Sequence, residues 1–523
     1  MMQEAKDEHY IRVSALLEEE DMKILKVDIT KESQPYYVRK DSALRPCRFD
    51  CLRGVTYLPA ILWGLISSCF EFLVVCFGCR STYEVQSDAE FARLFTTQLP
   101  FCTMLETTTH VFGHEVGAPE EQVLVFSSDD IALFEPYLHE GTYVQPLRIL
   151  FRKTAEAGVW AVDTITVGGK QELTRMNDGH TDAWAAAKLF AWNAMHYFAK
   201  LRNHSYTHFC QDVFIAACLE CLPDENHELR QLMDPHSDFT IDINHGVLAT
   251  PKSPLNSGTT SLCCYDTHTA TRPGNQRMVE RGFEIGFQAG RMKFAPLKLQ
   301  PELQPYFDVI LTFTTAVVVA LMARLDAIPD VLAREKEHQC LIRWAGFVKQ
   351  QMFVPVDFVF CHADAAAAYH VEVAPLANFL AYHIFSVSVG HSAEHYLFSN
   401  SNQRMQPMSI HVPWSRDMTL PGGAGDPNTC CAWRCCGFGA MSSSRVVPLA
   451  LRLKQIMYNN MLAKWWNNWL YSDGRLCTTQ YAFADGKLQQ AAQTFRLSLQ
   501  AVSPANATNN NVPLNRISRS IQW

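Results

Sequence analysis

Two histidine pairs combine a ligand type with a telling spacing. His204 and His208 are four residues apart, and so are His391 and His395. In a helix, residues four apart project from one face, one turn above the other. Two such helices packed together bring four neutral imidazoles toward one point, a donor set suited to iron, manganese or zinc. Chance alone places one such pair among 19 histidines, whereas two pairs, each in an apolar stretch, point to a metal centre. His196 lies in the same run as the first pair, two turns earlier and off its face.

The segment HSAEH, His391 to His395, also fits H-x-x-E-H, in which two histidines hold zinc and the glutamate acts as general base for hydrolysis. Such a site needs a further carboxylate ligand, ordinarily a glutamate well downstream. No glutamate follows Glu394 in this chain, so a hydrolytic zinc site is the weaker reading.

The elements that must carry these residues are mostly long helices. Apolar runs without breakers predict helices over Trp184 to Leu222, Tyr306 to Leu325, Pro375 to Phe398 and Val446 to Trp466. Short β-type runs, VLVFSS, PLRILFRK and VWAVDTITV, precede them between Val123 and Val167 and predict a small antiparallel element. The fold class expected is mainly α: a large helical domain with a minor β element. Residues 1–50 read as an irregular, charged N-terminal arm, and residues 51–523 as one helical domain with no internal repeat. The Gly-, Pro- and Cys-rich stretch LPGGAGDPNTCCAWRCCGFG reads as a surface loop between the last two helices.

Composition narrows the partners. With 48% hydrophobic and 19% charged residues, the chain has the makeup of a globule with a large core, and its net charge of -8 gives no basis for binding nucleic acid. The 18 cysteines lack both zinc-ribbon and disulfide-framework spacing, and the polar start MMQEAKDEHYIRV lacks a signal-peptide pattern. These features suit a cytoplasmic monomer. Tyr57 to Gly78 is nearly long enough to span a bilayer, but Pro59 and Glu71 interrupt it. It reads as a buried helix or one in peripheral contact with a membrane surface.

From Ser87 to Trp523 the chain resembles the lipoxygenases, non-haem iron or manganese dioxygenases that insert O2 into polyunsaturated fatty acids. DAWAAAKLF resembles the lead of their metal-bearing helix, and HFCQDVFIAACLECLPDENHELRQLMDPHSDFTIDIN resembles that helix and the PH…T…IN segment after it. SDAEFARLF, VLVFSSDDIALFEPYL, IFSVSVGHSAEHYLF and the ending NNVPLNRISRSIQW resemble further family segments. The resemblance implies a helical catalytic domain without the family's N-terminal lipid-binding β-sandwich. It also implies an apolar channel holding a pentadiene C–H, dry, beside the metal while O2 enters from another side.

Carried over residue by residue, the family's third histidine ligand falls on His391, and a position occupied by Asn, His or Ser falls on His395. Counting forward from Lys188 places the first-helix ligands at Ala199 and His204, while counting back from HFCQDVF brings in His208. The registers differ by one residue. His204 with His208 reproduces the spacing of the manganese enzymes and is preferred over His196. The family's terminal Ile or Val carboxylate also binds the metal; here Ile521 matches it and is followed by Gln522 and Trp523, which makes the Trp523 carboxylate the fifth ligand. Gly246 or Val247 stands near the position that steers stereochemistry.

The resemblance thus implies a dioxygenase with one iron or manganese ion, held by His204, His208, His391, His395 and Trp523, acting on an unsaturated fatty acid or another apolar small molecule together with O2. The alternative is a metal-free relative that keeps the fold as a lipid-binding or scaffold subunit. The displaced first-helix register, Ala199 and the two added terminal residues motivate it.

Overall fold

The computed structural model describes residues 62, 66, 87–97, 105–108, 110–111, 114–115, 123–127, most of 146–191, parts of 218–237, 303–352, 361–363, 369–392, 476–502 and parts of 514–521. The arm expected over residues 1–50, the helix expected over Val446 to Trp466 and the cysteine-rich loop lie outside the described residues. Of Trp184 to Leu222, only residues near its two ends are described, all but one as helix.

The first unit pairs one helix with a sheet. Helix α1, Asp88–Thr97, starts at Ser87, whose Oγ accepts the Glu90 N–H at 3.2 Å, satisfying one of the donors a helix start leaves open. Strands β1 (Glu106–Thr108), β4 (Val123–Ser127), β5 (Leu147–Lys153), β6 (Trp160–Val167) and β7 (Gln171–Thr174) form one antiparallel sheet in that order. β2 (His110–Val111) and β3 (His114–Glu115) pair separately. Val162 and Ile165 are three apart and would face opposite ways on a regular strand. Leu150 pairs with Thr164 and Phe151 with Val162, leaving Asp163 as an inserted residue. This bulge turns both apolar side chains to the buried face, and the Asp163 carboxylate accepts from Arg152 Nε at 2.9 Å. Against that face, Phe95 of α1 meets the Phe151 and Phe126 rings at 5.8 and 6.3 Å.

A short turn of helix, α2 (Arg175–Asp178), leads to a further helical stretch that begins at Ala183. There Asp88 gathers three donors: Trp184 Nε1 and Lys188 Nζ at 2.9 Å each and Arg175 Nε at 3.1 Å. Burial works to raise the Asp88 carboxyl, but the bonds from Lys188 and Trp184 and the charges of Lys188 and Arg175 outweigh it and hold the group below its ordinary value. Trp184 and Lys188 of DAWAAAKLF thus lock the start of that helix to α1.

The second unit is helical: α3 (Glu228–Ser237), α4 (Gln304–Asp326), α5 (Val331–Met352), α6 (Val373–Phe385) and α7 (Gly486–Val502), with a small hairpin of β8 (Cys361–Ala363) and β9 (Tyr369–Val371). α4 is its axis. Tyr306, Phe307, Ile310, Phe313, Thr314, Val317, Val318, Leu321 and Leu325 are buried along it, the three-and-four spacing of a helix covered over a wide face. Thr314 Oγ1 donates to the Ala377 carbonyl of α6 at 2.9 Å, and Phe313 stacks on Phe495 of α7 with centroids 4.5 Å apart. Arg324 donates to Glu228 of α3 at 2.6 and 3.0 Å and to Glu337 of α5 at 3.0 and 2.7 Å. α4, and α6 with its continuation to Gly390, are long and apolar enough to cross a bilayer; α3, α5, α6 and α7 pack on α4, which buries one side of it and leaves Val319 half exposed.

The fold class matches the sequence expectation. α4 extends the expected helix by a few residues, and α7 begins at Gly486, where Asp485 Oδ1 accepts the Lys487 and Leu488 N–H groups at 2.6 and 3.4 Å. Within Tyr57 to Gly78, Leu62 and Ile66 are helical and exposed, at 51% and 56%, so at these two positions the buried reading does not hold.

Candidate metal centre

The helix that carries His391 changes pitch just before it. α6 continues as a π-helical turn over Ser386–Gly390, and the His391 N–H reaches the Ser386 carbonyl five residues back. A π turn adds one residue to the helical circuit and so rotates everything after it by roughly 100° relative to a regular helix. Ser388 Oγ donates to the Ile384 carbonyl within the turn. The sequence reading drew one regular helix from Pro375 to Phe398; the inserted residue is a departure from it, and it sets the direction in which His391 leaves the helix. His391 and Ser392 are wholly buried.

Ser392 ties this turn to the end of the chain. Its Oγ accepts the Ser518 N–H at 2.9 Å. Ile517 accepts from the Leu476 N–H at 2.8 Å, in the 3-10 turn Leu476–Thr478. The Arg519 carbonyl lies 2.7 Å from His236 Nδ1, at the end of α3. Ser518 Oγ donates to the Ser520 carbonyl at 2.8 Å, closing a local turn, and Ile521 is fully buried. The terminal segment is therefore threaded between α3, the 3-10 turn and the His391 turn.

Two further buried histidines stand nearby. His236 Nε2 is 2.9 Å from the Tyr481 hydroxyl. Because a carbonyl oxygen only accepts, Nδ1 carries the proton toward Arg519, and neutral Nε2 accepts from Tyr481. Burial is the main cause that pushes His236 down to about 4, with the Arg519 charge helping and the bond to the Arg519 carbonyl opposing. Burial, then the neighbouring His236, pushes His383 down to about 3. Burial pushes the Tyr481 hydroxyl above its ordinary range. At neutral pH these groups are uncharged, the protonation state in which imidazole ligates metals.

Of the five expected ligands, His391 is described; His204, His208, His395 and Trp523 lie outside the described residues, as does His196. Among the described residues no cluster of three or more His, Cys, Asp or Glu has the arrangement of a metal site. The type and burial of His391 are nonetheless those of a metal-ligating residue: an imidazole wholly buried after an apolar helix, with the chain's end fastened to the next residue. His236, His383, Tyr481 and the Ser392–Ser518 bond were not singled out in the sequence. His236 is the histidine of the PH…T…IN segment quoted for the resemblance, without a role assigned to it there.

No family model and no curated protein matches the chain by sequence. Solved structures do match it in fold. A LOX crystallised anaerobically in complex with arachidonate superposes with a TM-score of 0.59 at 13% identity over 90% of this chain and 73% of that one. Coral 8R-lipoxygenase gives 0.57 at 13% identity over 83% and 66%. The manganese lipoxygenase of Gaeumannomyces graminis gives 0.55 at 12% identity over 89% and 88%. The chain has a lipoxygenase-like fold.

Proposed function

We propose that the protein is a lipoxygenase-like non-haem metal dioxygenase acting on a polyunsaturated fatty acid or a similarly apolar substrate. The observation that carries this reading is the wholly buried His391 on a π turn, bonded through Ser392 to the last residues of the chain. A chain of five further residues from Ser518 spans at most roughly 17 Å, so the Trp523 carboxylate ends within that distance of the fastened strand. His391, with His204, His208, His395 and that carboxylate, would hold iron or manganese. Bound there, the metal supplies the one-electron oxidation that a bis-allylic C–H requires before O2 adds. The fold neighbours that carry arachidonate and manganese support the same substrate class and metal choice.

The chain's own part is to keep the site dry and ordered. Phe385 at the end of α6 and Val387 and Val389 on the turn before His391, all buried, exclude water. The π turn and Ser392 orient the imidazole and the chain's end relative to each other.

The test is elemental analysis of purified protein with oxygen uptake on arachidonate, for the wild type and His391→Ala. About one iron or manganese per chain and substrate-dependent uptake are expected, both lost in the variant. The variant itself should fold, since truncating one buried polar side chain costs on the order of 1–3 kcal/mol. Oxygenation at the wild-type rate in His391→Ala overturns the proposal. A wild type that takes up neither metal assigns the fold to lipid binding or scaffolding instead.

A further inference from the structure

Three successive residues near the chain's end are fastened by three different elements. Ile517 is held by the backbone of the 3-10 turn, Ser518 by Ser392 on the His391 turn, and Arg519 by the His236 side chain of α3. The first is a main-chain contact that any residue could make. The third depends on one imidazole, fully buried, with both nitrogens committed: 2.7 Å to the Arg519 carbonyl and 2.9 Å to the Tyr481 hydroxyl.

Tyr481 is in turn immobilised by rings. Its centroid lies 5.0 Å from that of Phe313, 5.6 Å from that of Phe483 and 6.3 Å from that of Phe495. The hydroxyl oxygen is therefore held in place beside His236; because the Arg519 carbonyl only accepts, the imidazole proton sits on Nδ1, and Nε2 accepts from the hydroxyl. An aromatic cluster from α4, α7 and the segment before α7 thus braces an imidazole on α3, and that imidazole holds the chain's end.

We propose that His236 is a positioning residue for the candidate metal centre: it fixes the terminal segment through the Arg519 carbonyl and thereby sets where the Trp523 carboxylate, four residues on, comes to lie. This rests on the functional reading above insofar as the carboxylate is a ligand; the fastening itself does not. His236 touches neither metal nor substrate in this scheme and acts through the segment.

The experiment compares full-length wild type with His236→Asn, His236→Gln and His236→Ala. Asn keeps an amide donor near the Nδ1 position and so preserves the bond to Arg519. Gln carries its amide toward the Nε2 position and serves Tyr481 instead. Hydrogen exchange of the peptide covering residues 514–523 reads the fastening, and iron plus manganese content, measured on the same samples, reads the site. Expected are at least tenfold faster exchange and at least tenfold lower metal occupancy in Gln and Ala, with Asn close to wild type in both and the β5–β6 peptides unchanged in all. A merely space-filling His236 would not separate Asn from Gln.

Unchanged exchange in Gln and Ala overturns the proposal. Faster exchange with full metal occupancy also overturns it, because the segment would then be held without positioning a ligand. If the wild type itself holds no metal, the functional reading falls and with it the role toward a ligand, while the Asn and Gln exchange rates still decide whether His236 holds the segment.

Discussion

Acidification from pH 7 to pH 5 should weaken the fold through two buried imidazoles. His236 is pushed from 6.5 to about 4 and His383 from 6.5 to about 3, in both cases mainly by burial. Between these values and 6.5 the unfolded chain binds a proton that the folded one refuses, so stability rises with pH across the window and levels off above it. Evaluated at the two pH values, each group costs about 2 kcal/mol on going from pH 7 to pH 5. That is a large share of the roughly 5–15 kcal/mol typical of a folded domain. Asp88 does not interfere: its carboxyl lies below its ordinary 3.8, so its contribution is lost only at still lower pH. His227, also lowered by burial, acts in the same direction as the two imidazoles.

The diagnostic quantity is therefore a difference between variants. Urea unfolding of chelator-stripped wild type and His383→Gln at pH 5, 6 and 7 isolates one imidazole, since stripping removes the separate pH dependence of metal binding. The variant is expected to lose about 2 kcal/mol less than wild type between pH 7 and pH 5. Parallel losses in the two proteins would refute the reasoning, because His383 would then be charged or hydrated in the fold despite its burial.

Two further outcomes test the framework around the site. Lys188→Met leaves Asp88 with Trp184 and the half-exposed Arg175 and is expected to cost about 2 kcal/mol in thermal unfolding, below the full cost of breaking a buried pair because Asp88 is one-fifth exposed. Adding Asp88→Asn should recover most of the loss; a double variant no better than the single one would assign the cost to packing. Phe313→Ala removes a ring in contact with Tyr481, Phe483 and Phe495 and should cost about 3–5 kcal/mol in urea unfolding, and a loss below about 1 kcal/mol would contradict its central place.

What the sequence made legible was what local physics decides. β4, β5 and β6 follow short runs rich in β-branched and aromatic residues, and α4 follows an apolar run with Pro305 in its first turn. The resemblance implied a terminal carboxylate beside His391; Trp523 lies outside the described residues, and what the structure adds is the Ser392–Ser518 bond. α5 escaped notice because only part of VLAREKEHQCLIRWAGFVKQQM is apolar, and its core contribution rests on a few residues such as Leu341 and Trp344. The bulge at Asp163 was equally silent, since nothing in WAVDTITV announces that Val162 and Ile165 share a face.

The same distinction explains why His391 could be found and its supports could not. A histidine in an apolar run is visible as a type; its orientation depends on partners that the chain brings in from afar. Ser392 meets Ser518 across 126 residues, and His236 meets Tyr481 and Arg519 across 245 and 283. The π turn belongs to the same class, because SVSVG has no composition that separates it from a regular helix. Such a turn costs helical regularity and is kept where the surroundings fix a side chain in a particular direction. Here that side chain is a buried imidazole beside the fastened chain end. Local pattern thus nominates the residue type, while the contacts that fix its surroundings come from residues more than a hundred positions away.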